Sequence, residues 1–168
     1  QNMDHKFPLA LSYDDVLLVP QYSDITSRND VNLTTKITSK LSLKIPLVSA
    51  NMSDVTGSSM ACAIARLGGL GVIPRFMPAE DEANLVSMVK KENLMVGAAI
   101  GIRNGMYDRS ETLINAGADI LVLDVAHGHM LKVIEAVVNF KNKFRDVDLV
   151  AGNVATKEAA EALFRAGA

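Results

Sequence analysis

The sequence has no tryptophan, a single cysteine, and only five phenylalanines and three tyrosines. So few aromatic rings give no stacking platform for single-stranded nucleic acid. The lone cysteine, Cys62, has no partner within the chain, so no internal disulfide forms. That fits a reducing, cytoplasmic setting. Neither sign of charge dominates: 17 Lys and Arg face 19 Asp and Glu, for a net charge of −2. No basic block stands out, so neither nucleic acid nor an acidic membrane surface is an expected partner. The apolar runs fall far short of the roughly 20 residues of a membrane span. The opening stretch from Gln1 to Leu9 holds Asp4, His5, Lys6 and Pro8 where a secretory leader has its apolar core. No low-complexity linker divides the chain. What remains is 168 residues, 49% hydrophobic and 21% charged, the profile of a soluble globular domain with a sizeable core.

From about residue 46 one pattern repeats. A short apolar run ends in small or polar residues, an amphipathic stretch follows, and a glycine-containing turn leads to the next run. Continuous apolar runs predict parallel strands buried on both faces. They lie at Ile45–Ala50, Leu70–Ile73, Leu94–Ile100, Asp119–Asp124 and Asp148–Gly152. The stretches between predict helices over about Gly57–Leu67, from Pro78 to Lys91, Tyr107–Asn115, His129–Phe144 and Lys157–Arg165. Residues 1–44 break the pattern. Ser12–Pro20 and Val31–Ile37 look extended, and the whole segment reads as an arm packed across the end of a barrel. Five β/α units imply an α/β protein with a parallel sheet. A flavodoxin-like open sheet is the rival architecture. Two details favour a (β/α)8 TIM barrel of which about five units are present, with residues 45–168 as units one to five of a single domain. Ala116-Gly117-Ala118 leads into a strand, and Ala166-Gly167-Ala168 repeats that lead-in at the chain's end. The length also leaves the chain about three strands short of a full barrel of roughly 250 residues.

In α/β folds the functional groups sit at the carboxyl ends of the strands. After the fourth strand comes Asp124-Val125-Ala126-His127-Gly128-His129. A carboxylate there can accept hydrogen bonds from a ribose diol, and the small residues would let a ligand approach the backbone; a helix N-cap or buried structural acid is the alternative. His127 and His129 lack an evident third ligand, so no metal site is expected. After the first strand, Ser49 and Asn51 offer polar groups and Met52 a soft surface for a flat base; core and turn roles are the alternatives. After the fifth strand, Asn153 could project into the mouth or form a turn, and Thr156 is a natural N-cap. Gly68-Gly69-Leu70-Gly71 enters a strand rather than leaving one, so it is no phosphate loop. Cys62 lies mid-helix as core filler, with no base or cation implied beside it.

Taken together, these segments resemble the IMP dehydrogenase/GMP reductase family. The resemblance runs through Tyr13–Pro20, Ser27–Val31, Pro46–Met52, Gly68–Ile73, Val96–Gly101, Ala116–Asp119, Asp124–His129 and Ala151–Thr156, in that order. It implies a homotetrameric oxidoreductase acting on a purine nucleotide, with NAD for IMP oxidation to XMP or NADPH for GMP reduction, and it admits a monovalent cation. It implies that a cysteine attacks C2 of the purine, that hydride passes between purine and nicotinamide, and that water releases XMP in the dehydrogenase. It further implies that Asp124 holds the nicotinamide ribose, that Val125 and Ala126 line the same site, that Met52 lies near the purine, and that Asn153 stands at the mouth. The catalytic cysteine would come after Ala168, because Cys62 is in the wrong place to supply it.

The sequence departs from the family in two visible places. Met52-Ser53-Asp54-Val55 replaces the usual Met-Asp-Thr-Val, so Asp54 receives no role. Val89–Leu94 bridges directly where dehydrogenases commonly carry a paired CBS module. Asn51-Met52 and Asp124-Val125-Ala126 lean toward the reductase. His127-Gly128-His129 and the glycine-rich second and third strands lean toward the dehydrogenase, which is the favoured reading. A non-catalytic nucleotide-binding or assembly subunit is the reading of another class.

Overall fold

The computed structural model describes residues 9–168, so the expectation about a leader falls largely outside the described residues. Two compact units emerge, one ending at Asn32 and one spanning Leu33–Ala168. In the first, 3-10 turns occupy Tyr13–Asp15 and Arg28–Asp30. The extended conformation expected over Ser12–Pro20 is thus interrupted. The reason is local: the Ser12 backbone N–H donates to the Asp15 carboxylate at 2.8 Å, and a short acidic side chain of this kind competes for the backbone. That hydrogen bond also holds the exposed Asp15 carboxyl below its ordinary pKa.

The second unit opens with an antiparallel hairpin of β1 (Thr35–Lys36) and β2 (Ser42–Leu43). Five β/α units follow. Their strands are β3 (Val48–Ser49), β4 (Leu70–Ile73), β5 (Val96–Ile100), β6 (Ile120–Asp124) and β7 (Leu149–Gly152). The helices are α1 (Ser58–Arg66), α2 (Ala79–Lys90), α3 (Met106–Asn115), α4 (Leu131–Lys143) and α5 (Lys157–Ala166). All five strands are parallel and sit side by side in chain order, a curled half-barrel sheet. This sequential order is that of a TIM barrel. An open flavodoxin-like sheet reverses direction at a switch point and would not keep it.

The strand and helix positions follow the sequence pattern closely except at β3, which is shorter than the apolar run around it. Pro46 has no N–H to give the ladder, and the Leu47 N–H turns back to the Ile45 carbonyl at 2.9 Å. The repeated Ala-Gly-Ala segments prove to be the same device. After α3 and after α5 the glycine takes a left-handed φ, +97° at Gly117 and +111° at Gly167. In both, the glycine and the next alanine donate to carbonyls in the last turn of the preceding helix. This Schellman closure needs no side chain at the turning residue.

Burial separates along the two faces of the sheet. Ile73, Val96, Ala98, Ile100, Leu121 and Leu123 face the helices and join the larger core with Val86, Leu113, Val137 and Phe140. Leu70, Val72, Ala99 and Ile120 face the other way and pack with Leu43, with Ile37, Leu41 and Val122 at the margin. The hairpin therefore covers the concave face beside the strands' first residues. Its turn is fastened to the start of β7: Thr38 Oγ1 lies 2.5 Å from Asp148 Oδ2, and Lys40 Nζ donates to the Asp146 carbonyl at 2.8 Å. Residues 35–43, read from sequence as part of an arm, are integral to this core.

No helix among the described residues is long and apolar enough to cross a membrane. Because Leu43 is the buried centre of the hairpin's contact with the sheet, Leu43→Ala should lower the unfolding free energy by about 2–4 kcal/mol. Urea denaturation of the two proteins measures the difference; equal midpoints would remove the hairpin from the core.

Candidate active site

Strand alternation decides which side chains reach the barrel mouth. Ile120 and Val122 of β6 face the concave side, while Leu121 and Leu123 face the helices. The next position on the concave side is Asp124, the last residue of the strand. Its carboxylate Oδ2 accepts a hydrogen bond from Arg75 Nε at 3.0 Å, a half-buried ion pair. Arg75 follows β4, so its side chain crosses the end of β5 to reach β6. On the way it passes over Gly101, where a Cβ would lie 3.4 Å from the guanidinium, in ordinary contact. Arg75 also stacks over the Phe76 ring, 4.5 Å from its centroid.

The loops after β6 and β7 are stitched together. Asp124 pairs in register with Gly152. The Asn153 backbone and side-chain amides both donate to the Val125 carbonyl, at 2.9 and 3.3 Å. The Gly128 N–H donates to the Asn153 carbonyl at 2.7 Å, and a Cβ on Gly128 would meet that oxygen at 2.8 Å. The glycine between the two histidines is thus required by close approach, while His127 and His129 themselves are exposed. Thr156 accepts from the Ala159 N–H and caps α5. Asp124, Val125 and Asn153 therefore form one fixed cluster, with Ala126 exposed beside it.

The loop after β3 lies at the opposite edge of the sheet. The Met52 carbonyl accepts from the Val55 and Thr56 amides, a turn that leaves the Met52 side chain 58% exposed with Asn51 half-buried beside it. Ser49 does not join them. It pairs in register with Gly71, which faces Ala61 of α1, so Ser49 points to the helix layer. Its hydroxyl is buried 2.9 Å from the Thr56 hydroxyl, which also reaches the Ala50 carbonyl at 2.5 Å. Cys62 is buried in the α1 core as expected. Its surroundings are not uncharged, however: the Arg66–Glu92 ion pair lies next to it. Burial first, and the Glu92 charge second, push the thiol's pKa up, away from the nucleophilic thiolate.

Two residues beside this mouth escaped the sequence reading. One is Arg75. The other is Glu82 of α2, a wholly buried acid paired with Arg109 of α3. Its Oε1 has no hydrogen-bond partner within 3.5 Å, although the nearby Ala99 backbone amide also lowers the carboxyl's pKa. Burial raises the carboxyl from its ordinary 4.5 to about 7, against the downward pull of Arg109. The folded state therefore holds a proton that the unfolded chain gives up more readily. This stabilising contribution is complete below about 4.5 and is lost as pH rises through about 7. Relative to Glu82→Gln, the wild type should lose stability from about pH 5 to about pH 8, by no more than about 1.4 kcal/mol per unit. Urea midpoints of both proteins across that range check it; parallel profiles would contradict it.

The chain matches the IMP dehydrogenase / GMP reductase domain over residues 10–168. It is 36% identical to an inosine-5'-monophosphate dehydrogenase of Cryptosporidium parvum, over 95% of this chain and 50% of that protein. It is 30% identical to an inosine-5'-monophosphate dehydrogenase of Nitrosopumilus maritimus, over 96% of this chain and 60% of the relative. A GMP reductase of Lactobacillus delbrueckii subsp. bulgaricus is 36% identical over 95% of this chain and 48% of its own length. The chain spans about half the length of the curated relatives it matches. The alignment runs over 161 positions with the reductase, 202 with the Cryptosporidium dehydrogenase and 286 with the Nitrosopumilus one. The half-barrel, the strand-end cluster and the match along nearly its whole length place this chain in the IMP dehydrogenase/GMP reductase family.

Proposed function

We propose that this chain forms the cofactor-binding side of an IMP dehydrogenase-type enzyme, which oxidises IMP to XMP with NAD. The observation that carries this reading is the placement of Asp124 on the concave face at the end of β6. Its pair with Arg75 uses Oδ2, and a carboxylate accepts at several lone-pair sites, so it has capacity for a ribose diol. NAD, when bound, supplies the hydride acceptor. The protein's part is to orient it. Asp124 accepts from the ribose hydroxyls, Arg75 holds that carboxylate in place, and Val125 and Ala126 line the approach. Asn153 holds the β6 and β7 loops in register and has an amide oxygen to offer substrate. Met52, exposed beside Asn51, gives the purine an apolar face. Ser49 supports that loop through Thr56 rather than by contact.

Residues 35–43 close one end of the barrel within the second unit. A cytoplasmic homotetramer is the proposed assembly, and a monovalent cation fits the same reading. GMP reduction with NADPH is the second reading. It is favoured by one observation, the 161-position alignment, which covers the same share of this chain as the 202-position one without its added length. With IMP and NAD the whole enzyme should produce NADH absorbance, and with GMP and NADPH none should be consumed. The reverse pattern hands the assignment to the reductase. A protein with neither activity that still binds purine nucleotides would be the non-catalytic subunit.

In that enzyme Asp124→Ala should lower kcat/KM for the cofactor roughly tenfold to a hundredfold, the loss of a charge-assisted hydrogen bond of about 1.5–3 kcal/mol. Steady-state kinetics with varied NAD measures it, and unchanged values would sink the role. The 168-residue chain by itself should show no turnover, because its one thiol is buried in α1 with a raised pKa and cannot attack the purine.

A further inference from the structure

We infer that Glu82 and Arg109 form a clamp that positions Arg75 for its contact with Asp124. The inference rests on the reading of Asp124 as the ribose ligand for its functional meaning, though not for its geometry. The segment joining β4 to α2 is short, Pro74-Arg75-Phe76-Met77-Pro78. Its two prolines have no N–H, so the segment has little backbone bonding with which to fix itself. Arg109, from the next helix, does the fixing. Its Nη2 donates to the Met77 carbonyl at 2.8 Å while its Nη1 pairs with Glu82. The rigid guanidinium fork makes these two contacts interdependent, because turning one arm moves the other.

Met77 is two residues from Arg75, whose own reach is long. Arg75 must cross over Gly101 to place Nε 3.0 Å from Asp124. A shift of the segment by a fraction of that distance would break the contact. Glu82 is the root of the arrangement. It is 0% exposed, with one oxygen lacking a hydrogen-bond partner. A buried acid with an open oxygen destabilises a fold relative to an apolar residue of the same volume. What this carboxylate supplies is the orientation of Arg109. The order of dependence is Glu82, Arg109, the Met77 carbonyl, Arg75, Asp124. Glu82 and Arg109 are positioning residues, acting on the site through Arg75 alone.

The test reads Arg75 directly and needs no cofactor. In the 168-residue chain, 15N NMR measures solvent exchange of the Arg75 Nε–H, which the hydrogen bond to Asp124 protects. Arg109→Lys keeps a positive charge against Glu82 but removes the second arm to Met77. Exchange at Arg75 should accelerate on the order of tenfold, the effect of losing about one net hydrogen bond of restraint. Glu82→Gln keeps an acceptor for Arg109 and should hold the rate within about twofold of wild type. Should Arg109→Lys fail to fold, Glu82→Met fills the same space, frees Arg109 and should accelerate exchange likewise. An unchanged Arg75 rate in folded Arg109→Lys or folded Glu82→Met, an accelerated rate in Glu82→Gln, or an unprotected Arg75 Nε–H in the wild type overturns the clamp. Failure of the ribose assignment shows up separately, as unaltered NAD kinetics in Asp124→Ala with the clamp result intact.

Discussion

A parallel sheet must be covered on both faces, and everything distinctive in this chain follows from how that is achieved. The helices bury one face through the large core that runs from Ala61 to Leu163. The concave face is filled near the strands' first residues by Leu43, Ile37 and Leu41 of the hairpin. Apolar side chains thus occupy the body of the sheet on both sides, and the carboxyl ends of the strands are left for polar groups. Asp124, Arg75 and Asn153 all stand there.

That arrangement explains why the strand ends can be rigid without being apolar. Neighbouring ends are tied to each other by polar contacts: Asn153 to the Val125 carbonyl, Arg75 to Asp124, Arg109 to the Met77 carbonyl. Each contact joins two different β/α units, so none of the loops depends on its own residues alone to hold it. The opposite ends of the strands are tied in the same way: Asp119 accepts from Lys90 and from the Val96 amide at the start of β5.

Local chemistry was the part of this that could be read from sequence. The uninterrupted apolar runs gave β4 to β7, the acids after Pro78 marked the start of α2, Thr156 capped α5, and the Ala-Gly-Ala repeats marked two helix ends. The place of Asp124 at the carboxyl end of a strand was legible because the apolar run ends there. Arg75 obeys the same rule, one residue beyond Pro74, yet nothing in linear spacing says that it crosses β5 to a carboxylate 49 positions later. The orientation of Ser49 was hidden for a similar reason. Its face is fixed by its register with Gly71, which no local pattern records. Glu82 looked like one more acid in the first turn of a helix, and only packing against α3 buries it. The turn at Tyr13–Asp15 was hidden because an apolar run there masked the competing Asp15 carboxylate.

The central claim is that Asp124 stands where the nicotinamide ribose binds. The most direct measurement is a crystal structure of the whole enzyme with IMP and NAD bound. The account predicts both ribose hydroxyls within hydrogen-bond distance of the Asp124 carboxylate, with Arg75 still on Oδ2 and the nicotinamide facing the purine above Met52. A dinucleotide bound elsewhere, with Asp124 contacted by Arg75 alone, would contradict it.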